Sequence, residues 1–435
     1  MDDLVERLRI AEQRVAELEK ENKELRVIIK RLTERLEKLE AKTNTKTESP
    51  VNVRPQSSDA EHKMPGRPEG HEGIGRKTPE VDETVNLKPV KECPHCGGPV
   101  RCKRKRNRTI TSLVKGWVKH TRYQFMQWYC VKCNKTVEPS VPNVLPNSRF
   151  DLTFAFWIAC LRMLGVSVDN IVFLLKTDYG LIVSHATVIN TCNKIAKFLG
   201  ADYEQFRLDL LKERQVHGDE THWRVKGKNH WLWVFISNRI AYFVVSKTRG
   251  HTVPERVMKG YAGLFTADFW NAYNVLTCEK QRCWVHLKRE LDNVLKKRPS
   301  IEFAEFASQL LTTFYCAKSC RNRGSKTRVD AELQVHELIS KRYENKDVLR
   351  LVKRLRRHEK ELFTFCARRS AKSGNNDAER GIRPSVVVRN VSNGSQSVQG
   401  AESFATLMTF FQTSRLRDEN FLDFMHDIAN NRLKN

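Results

Sequence analysis

The chain has 435 residues and a strongly basic composition, with 77 lysines and arginines, 51 acidic residues and a formal net charge of +26. This length predicts roughly two to four domains. The charge predicts a polyanionic partner, foremost nucleic acid. No apolar run approaches the roughly 18 residues of a membrane-spanning helix, and MDDLVERLRI does not resemble a secretion signal. We therefore expect a cytoplasmic, nucleoid-associated protein with reduced or metal-bound cysteines.

Residues 1–42 carry the apolar pattern of a coiled coil. From Leu4 to Leu39 the apolar positions alternate between steps of four and three residues, as in a leucine zipper. Asn22 falls at an a position, where a buried amide favours a parallel, in-register dimer. We expect a homodimer or higher oligomer through this segment. The alternative is a single amphipathic helix packed on a globular body.

Residues 43–90 predict a flexible linker, because they are rich in proline, glycine, serine and charge. Within them Gly66, Arg67 and Pro68 resemble a short element that lies in AT-rich minor grooves. A plain linker is the preferred interpretation of this triplet.

Residues 91–145 contain two cysteine pairs with zinc-ligand spacing, Cys93 with Cys96 and Cys130 with Cys133. Four thiolates around one ion predict a structural zinc site with no open position for catalysis. The alternatives are four incidental thiols, or a ligand replaced by His95 or Cys102. Basic residues between the pairs predict DNA phosphate contacts. They are Arg101, Lys103, Arg104, Lys105, Arg106 and Arg108.

Residues 146–212 predict a helical domain that resembles a helix-turn-helix. Ser184 is placed to cap a helix that runs to Phe198, after an earlier helix opened by Ser167. That second helix would present DNA-binding side chains. They are His185, Thr187 and Asn190. Helix pairs with a glycine turn also occur in proteins that never bind DNA, so both interpretations stay open.

Residues 213–435 predict a sheet with acids along one edge. VHGDETHWRV, WLWVFISN and IAYFVVSK predict an antiparallel meander, and GLFTADFWNAY and QRCWVHLKREL predict two further strands. Asp219 and Asp268 lie in these strands, and Glu379 would reach the same edge from a later helix. Three carboxylates suit a pair of Mg²⁺ ions, one activating the attacking oxygen and one stabilising the leaving oxygen. Asp377 and Glu402 are the reserve candidates for the third acid.

Several of these segments together resemble a known family. GDETHW, GLFTADFWNAY, CWVHLKREL, NNDAERGIRPSVVVRNVSNGSQSVQGAES and FFQTSRL are similar to the catalytic core of the insertion-sequence-66 transposases of bacteria and archaea. The zipper-like start, the GHEG-bearing linker and the cysteine pairs extend the likeness over most of the chain. The lysine-asparagine-tryptophan often found after the third motif is missing here, where the chain reads RNVSNGSQS.

The resemblance implies a multidomain α+β protein with a ribonuclease-H-like catalytic core and a helical insertion at about 299–371. It assigns Asp219, Asp268 and Glu379 as the acids of a DDE transposase that uses Mg²⁺, for which Mn²⁺ can substitute. Such an enzyme cuts double-stranded DNA at terminal inverted repeats and joins the freed 3′ ends to target DNA. Whether companion proteins of the same element take part stays open.

Four residues near these acids have predicted supporting or structural roles. His286, in the family's Cys-Trp-x-His motif, would contact the scissile phosphate or orient a metal-bound water; a buried structural histidine is the alternative. Arg380 and Arg383 would clamp phosphates from the start of the Glu379 helix. Glu220 would face away from the acids, since side chains alternate along a strand.

Two further alternatives remain at the level of sequence. A second zinc site would combine His286 with Cys278, or with Cys316 and Cys320. A catalytically inactive DNA-binding regulator, or a structure-specific nuclease of the same fold, would share many of these features.

Overall fold

The computed structural model describes residues 79–114, 116–368 and 371–434. The predicted coiled coil and most of the predicted linker, with Asn22 and the Gly66–Pro68 triplet, lie outside these residues. The described part is a mixed α+β structure with two mixed sheets. None of its helices is long and apolar enough to cross a membrane.

The first sheet is built on a long hairpin. Its strands are β1 (Glu83–Asn86), β2 (Val100–Val114), β3 (Trp117–Cys130) and β4 (Thr136–Val137). β2 and β3 pair antiparallel along their length, while β1 runs parallel to β3 and β4 runs antiparallel to it. Gly116 in the hairpin turn has φ 80°, a left-handed conformation that glycine adopts without steric cost.

Four helices follow the hairpin. They are α1 (Leu152–Met163), α2 (Val168–Tyr179), α3 (His185–Phe198) and α4 (Gly200–Leu210). Side chains of Asp151, Ser167 and Ser184 accept backbone N–H bonds at the starts of the first three. Ser184 thus caps a helix that ends at Phe198, as predicted.

The second sheet has the strand order β7-β6-β5-β8-β9. Its strands are β5 (Gln215–Val225), β6 (Lys228–Ile236), β7 (Ala241–Ser246), β8 (Leu264–Ala267) and β9 (Glu279–Arg282). The antiparallel pairing of β5, β6 and β7 confirms the predicted meander. β8 runs parallel to β5, and β9 runs parallel to β8. The carboxyl ends of β5, β8 and β9 therefore share one edge. The prediction of a strand over QRCWVHLKREL was wrong for most of this segment, because β9 ends at Arg282 and a helix begins at Trp284, where buried apolar residues recur every three or four positions.

Helices complete this part of the chain. They are α5 (Thr252–Val257), α6 (Trp284–Lys297), α7 (Ile301–Ser319), α8 (Ser325–Ser340), α9 (Lys346–His358), α10 (Thr364–Ala367), α11 (Asn376–Ser392), α12 (Val398–Leu416) and α13 (Phe421–Lys434). Short 3₁₀ helices span Asn271–Val275, Arg321–Arg323 and Glu359–Glu361.

Two large hydrophobic clusters divide these elements. One joins α1 to α4 with the second sheet and with α11 to α13, and contains the buried rings of Phe154, Trp233 and Phe410. The other lies among α6 to α10 and contains Trp284 and Phe363. The helices of residues 146–212 therefore share a core with the sheet, whereas most of the predicted insertion packs around a core of its own.

Candidate active site and cysteine cluster

Four cysteine side chains meet at the open end of the β2–β3 hairpin. The sulfur atoms of Cys93 and Cys133 are 3.6 Å apart, and those of Cys96 and Cys130 are 3.5 Å apart. All four sulfurs lie within 4.8 Å of one another. A tetrahedron of Zn–S bonds of about 2.3 Å places its sulfurs about 3.8 Å apart. The spacing therefore fits one zinc ion held by four protein ligands.

Tight local turns place these sulfur atoms. The Gly97 amide donates to the Cys93 carbonyl at 2.9 Å, and Gly97 has φ 66°. In the other turn the Cys133 amide donates to the Cys130 sulfur at 3.5 Å. This hydrogen bond lowers the pKa of Cys130, toward the thiolate that binds zinc.

Cysteines elsewhere form no second cluster of this kind among the described residues. Cys102 is exposed on β2, as is Cys316 on α7, while Cys278 and Cys320 are half-buried. The alternative of a second zinc site therefore gains no support from the part of the chain that is described.

The basic residues predicted to bind phosphate on β2 fall into two groups. Arg101, Lys103, Lys105 and Arg106 are exposed, as is Arg104, whose Nε donates to Gln127 at 2.9 Å. Arg108 is different, because its guanidinium donates to the carbonyl oxygens of Leu145 and Ser148 at 3.2 and 2.6 Å. Arg108 therefore ties the hairpin to the segment that leads into α1.

Asp219 and Asp268 stand at the same level on neighbouring parallel strands. In the pairing of β5 with β8, His217 lies opposite Thr266. Asp219 is two residues after His217, and Asp268 is two residues after Thr266. Asp268 is the first residue after β8. This edge, at the carboxyl ends of parallel strands, is where open sheets commonly bind ligands.

Glu379 reaches the same edge from the first turn of α11, and a buried asparagine sets its position. Asn375 precedes the helix and is 1 % exposed. Its Nδ2 donates to the Gly218 carbonyl at 2.8 Å, and its amide donates to the Cys283 sulfur at 3.1 Å. The helix start is thereby attached to β5 and to the residue before α6. Asn375 was not among the predicted site residues, although its place just before a predicted helix was a visible signal.

The acids share one electrostatic environment. Burial, with the negative charges of Glu220, Asp268 and Glu379, raises the pKa of Asp219 to about 7. Asp219 accepts the Glu220 amide at 2.9 Å, and Asp268 accepts the Trp270 amide at 2.8 Å. Neither acid has a lysine, arginine or histidine ion-pair partner among the described residues, so negative charge accumulates at this edge.

His286 and Arg289 of α6 lie beside Glu379. His286 Nε2 is 3.5 Å from Glu379 Oε1, and the Arg289 guanidinium is 3.9 Å from Oε2. Oε1 of Glu379 and Nδ1 of His286 are buried and have no hydrogen-bond partner within the described residues. A buried oxygen without a partner carries a desolvation cost unless another group binds it. This oxygen is therefore available to a metal ion.

Glu220 faces the other side of β5, as the alternation of side chains predicts. Arg249 donates to its Oε1 at 2.8 Å, and the Tyr273 hydroxyl donates to its Oε2. The same guanidinium lies 4.1 Å from the ring centre of Trp270 and 4.6 Å from that of Trp231. Glu220, Arg249 and Tyr273 thus form a hydrogen-bonded group on the face of β5 opposite Asp219.

The reserve acids are engaged elsewhere. Asp377 accepts a hydrogen bond from Lys372 Nζ at 2.5 Å and lies 3.5 Å from the buried His217. Glu402, on α12, lines a separate cavity with Arg256. Of the three candidates for the third acid, Glu379 is the one whose charge acts on Asp219.

The predicted DNA-binding side chains outside the hairpin are mostly exposed. Arg380 and Arg383 project from α11, without an ion-pair partner among the described residues. On α3, His185 and Asn190 are exposed and Thr187 is half-buried. His185 Nε2 lies 2.6 Å from an Asp169 carboxylate oxygen on α2. These positions allow contact with DNA but do not by themselves indicate it.

The acid edge suits hard cations. Its donors are carboxylate oxygens, which Mg²⁺ prefers, and one of them is buried without a hydrogen-bond partner. The acids do not form a cluster as tight as the cysteines within the described part of the chain. A pair of ions about 4 Å apart spreads its ligands over a wider span than a single ion does. The donor types at this edge are the ones that such a pair of ions would bind.

A comparison with protein-family models identifies a family for this chain. The family model described as transposase IS66 family matches residues 167–403, which include all three acids, His286 and the whole predicted helical insertion. No curated protein matches the chain.

Proposed function

The chain belongs to the transposase IS66 family, and we propose that it binds the terminal inverted repeats of an insertion sequence, cleaves the ends and joins the 3′ hydroxyls to target DNA. The observation that carries this proposal is the convergence of Asp219, Asp268 and Glu379 at one edge of the second sheet. DNA is the partner that such a family implies, and the net charge of +26 suits it.

We propose that the second sheet and its helices form the ribonuclease-H-like core implied by the family resemblance. A mixed sheet supports this, with a meander on one side, parallel strands on the other and acids on two neighbouring strands. The acid-bearing helix α11 then completes the site across the face of β5, where Arg389 donates to Thr221 Oγ1 and to the His222 carbonyl at 2.8 and 2.7 Å.

In the proposed mechanism Asp219, Asp268 and Glu379 hold the metal ions and orient the DNA ends. If two Mg²⁺ ions bind there, they would supply activation of the attacking oxygen and neutralisation of the charge on the leaving oxygen. His286 and Arg289 stand beside Glu379, where they donate hydrogen bonds to the scissile phosphate. Arg380, next to Glu379, and Arg383, one helical turn after Arg380, bind flanking phosphates.

The remaining parts of the chain have proposed roles in holding DNA. The cysteine cluster carries a structural zinc ion, and the exposed basic side chains of β2 contact phosphates. The α2–α3 pair acts as a helix-turn-helix, and the N-terminal coiled coil pairs two copies, which suits the synapsis of two DNA ends. A location on the nucleoid follows from DNA binding.

Strand cleavage on a labelled duplex that carries the element's own end, with Mg²⁺, tests the proposal. Glu379→Gln should abolish cleavage while DNA affinity stays within about twofold, because affinity comes mainly from basic residues. Glu402→Gln is the matched control, since it removes an exposed acid of the same type outside the site. If the wild type binds the end but cuts with neither Mg²⁺ nor Mn²⁺, the proposed enzyme activity is rejected in favour of a catalytically inactive DNA-binding regulator.

A further inference from the structure

A cleft of about 650 Å³ opens directly beside the proposed active site. Asp268 and His286 are among the residues that line it, as are Phe269 and Trp270, which follow Asp268 in the chain. One wall is α6 and the other is α9, a helix of the predicted insertion. A DNA strand that lies in this cleft therefore runs between the two helices, next to Asp268.

Positive charge dominates the cleft. The acids that line it are Asp268 and Glu290, and the Glu290 carboxylate is already paired with Arg350 and Arg354. On α6, positions 286, 289, 293 and 297 follow each other in steps of three or four and so share a face. Besides His286 and Val294, the non-acidic side chains of the two walls that line the cleft are Arg289, Asn293, Lys297, Arg298, Arg350 and Arg354.

The walls stand close together. Arg350 on α9 reaches Glu290 on α6 at 2.5 Å, and Arg354 contacts the same carboxylate. Glu290 thus bridges the gap through ion pairs with two arginines of α9, Arg350 and Arg354. Its volume matches that of pockets for small molecules. A few unpaired nucleotides fit such a space, whereas a DNA duplex does not.

We propose that the cleft between α6 and α9 binds the single-stranded segment of DNA that adjoins the scissile phosphate. This inference rests on the proposed function and adds the strand state of the substrate. Guanidinium and ammonium groups track the phosphates, which is the usual basis of single-strand binding in a basic groove with aromatic side chains. The helical insertion then supplies the outer wall of this strand channel.

Two pairs of substitutions separate the cleft from the general charge of the surface. Lys297→Ala with Arg298→Ala removes two cations that line the cleft. Lys296→Ala with Arg357→Ala removes two exposed cations from the same helices outside it. Arg298 lies 3.1 Å from Asp347. Lys297→Ala alone is therefore added, because Lys297 has no ion-pair partner among the described residues.

Fluorescence anisotropy compares a mixed-sequence blunt duplex with the same duplex carrying a short single-stranded extension, without added divalent ions. The wild type should prefer the extended duplex. The cleft pair should lose about tenfold on that probe, with a salt slope lower by about 1, and stay within about twofold on the blunt duplex. Lys297→Ala alone should lose about threefold on the extended probe alone.

Either of two results would overturn the proposal: the cleft pair behaves like the control pair, or it weakens both probes equally. The test is independent of cleavage. If the protein never cuts DNA but prefers the extended probe as expected, the proposal for the cleft stands and the proposed transposase activity is rejected. If the protein cuts DNA normally but the cleft variants bind both probes like the wild type, the proposed transposase activity stands and the proposal for the cleft is rejected.

Discussion

The buried side-chain amide of Asn375 donates a hydrogen bond of 2.8 Å to the carbonyl of Gly218. The two residues are 157 positions apart in the chain. Gly218 immediately precedes Asp219, and Asn375 starts the helix that carries Glu379. One hydrogen bond therefore links the backbone beside the first acid to the start of the helix that bears the third.

Asn375→Ala should reduce strand cleavage by about a hundredfold, because misplacing a catalytic group by an ångström has an effect of that order. It should also lower the free energy of unfolding by about 1–3 kcal/mol, since the Gly218 carbonyl loses its partner in a buried site. Cleavage rates and urea unfolding measure the two effects. Asn376→Ala, at the exposed neighbour, is the control and should leave both near wild type. Equal behaviour of the two variants would contradict the positioning role.

Gly218→Ala should destabilise the protein through overpacking. A Cβ atom at Gly218 would stand 2.5 Å from Phe265 Cζ and 3.1 Å from Tyr273 Cε1, both in buried rings. We expect a loss of about 1–3 kcal/mol and slower cleavage, because the strand must shift beside Asp219. Gly200→Ala meets no atom within 4 Å and is the matched control. Thermal unfolding of both variants would settle the comparison, and an unchanged melting temperature for Gly218→Ala would count against the packing argument.

Cys93→Ser should remove about one zinc ion per chain, because a structural site needs all four ligands for tight binding. Metal analysis of the purified full-length chain measures this directly, and DNA affinity should fall with it. Cys102→Ser alters an exposed thiol on the same hairpin and should retain the zinc. Full zinc content in Cys93→Ser would rule out the four-cysteine site.

Glu361 should make stability depend on pH. Burial by itself would raise its pKa, but a hydrogen bond from His358 and the charge of Arg282 outweigh burial and lower the pKa to about 2. A depressed folded-state pKa stabilises the fold above the unfolded pKa of about 4.3, and this contribution fades as pH falls toward 2. Glu361→Gln should therefore cost about 3 kcal/mol at pH 7.

Urea unfolding of Glu361→Gln and wild type at several pH values between 7 and 3 measures that contribution. The difference between them should be constant above about pH 5.5 and shrink by about half near pH 3. Glu337→Gln, at an exposed helix position, should show little difference at any pH. A difference for Glu361→Gln that does not change with pH would contradict the charged pairing with Arg282, whose Nε lies 2.6 Å from Glu361 Oε2.

The local features of this protein could be predicted from its sequence. The paired cysteines, the serine cap of α3 and the β5–β7 meander depend on neighbours within a few residues or on a simple period. The motifs around Asp219, Asp268 and Glu379 also indicated the family, because each is a short contiguous string. These features depend on residues that are close together in the sequence, so the sequence by itself determined them.

Tertiary structure alone decided which of these residues meet and which face inward. The parallel pairing of β5 with β8 sets Asp219 level with Asp268, and Asn375 joins α11 to β5 across 157 residues. Arg108 was predicted to bind phosphate, but its guanidinium instead links the hairpin to the segment before α1 through two hydrogen bonds. The cleft between α6 and α9 likewise exists only after the insertion folds against the strand edge. These relationships come from long-range packing and from backbone groups that need partners once buried, and neither leaves a periodic trace in the sequence.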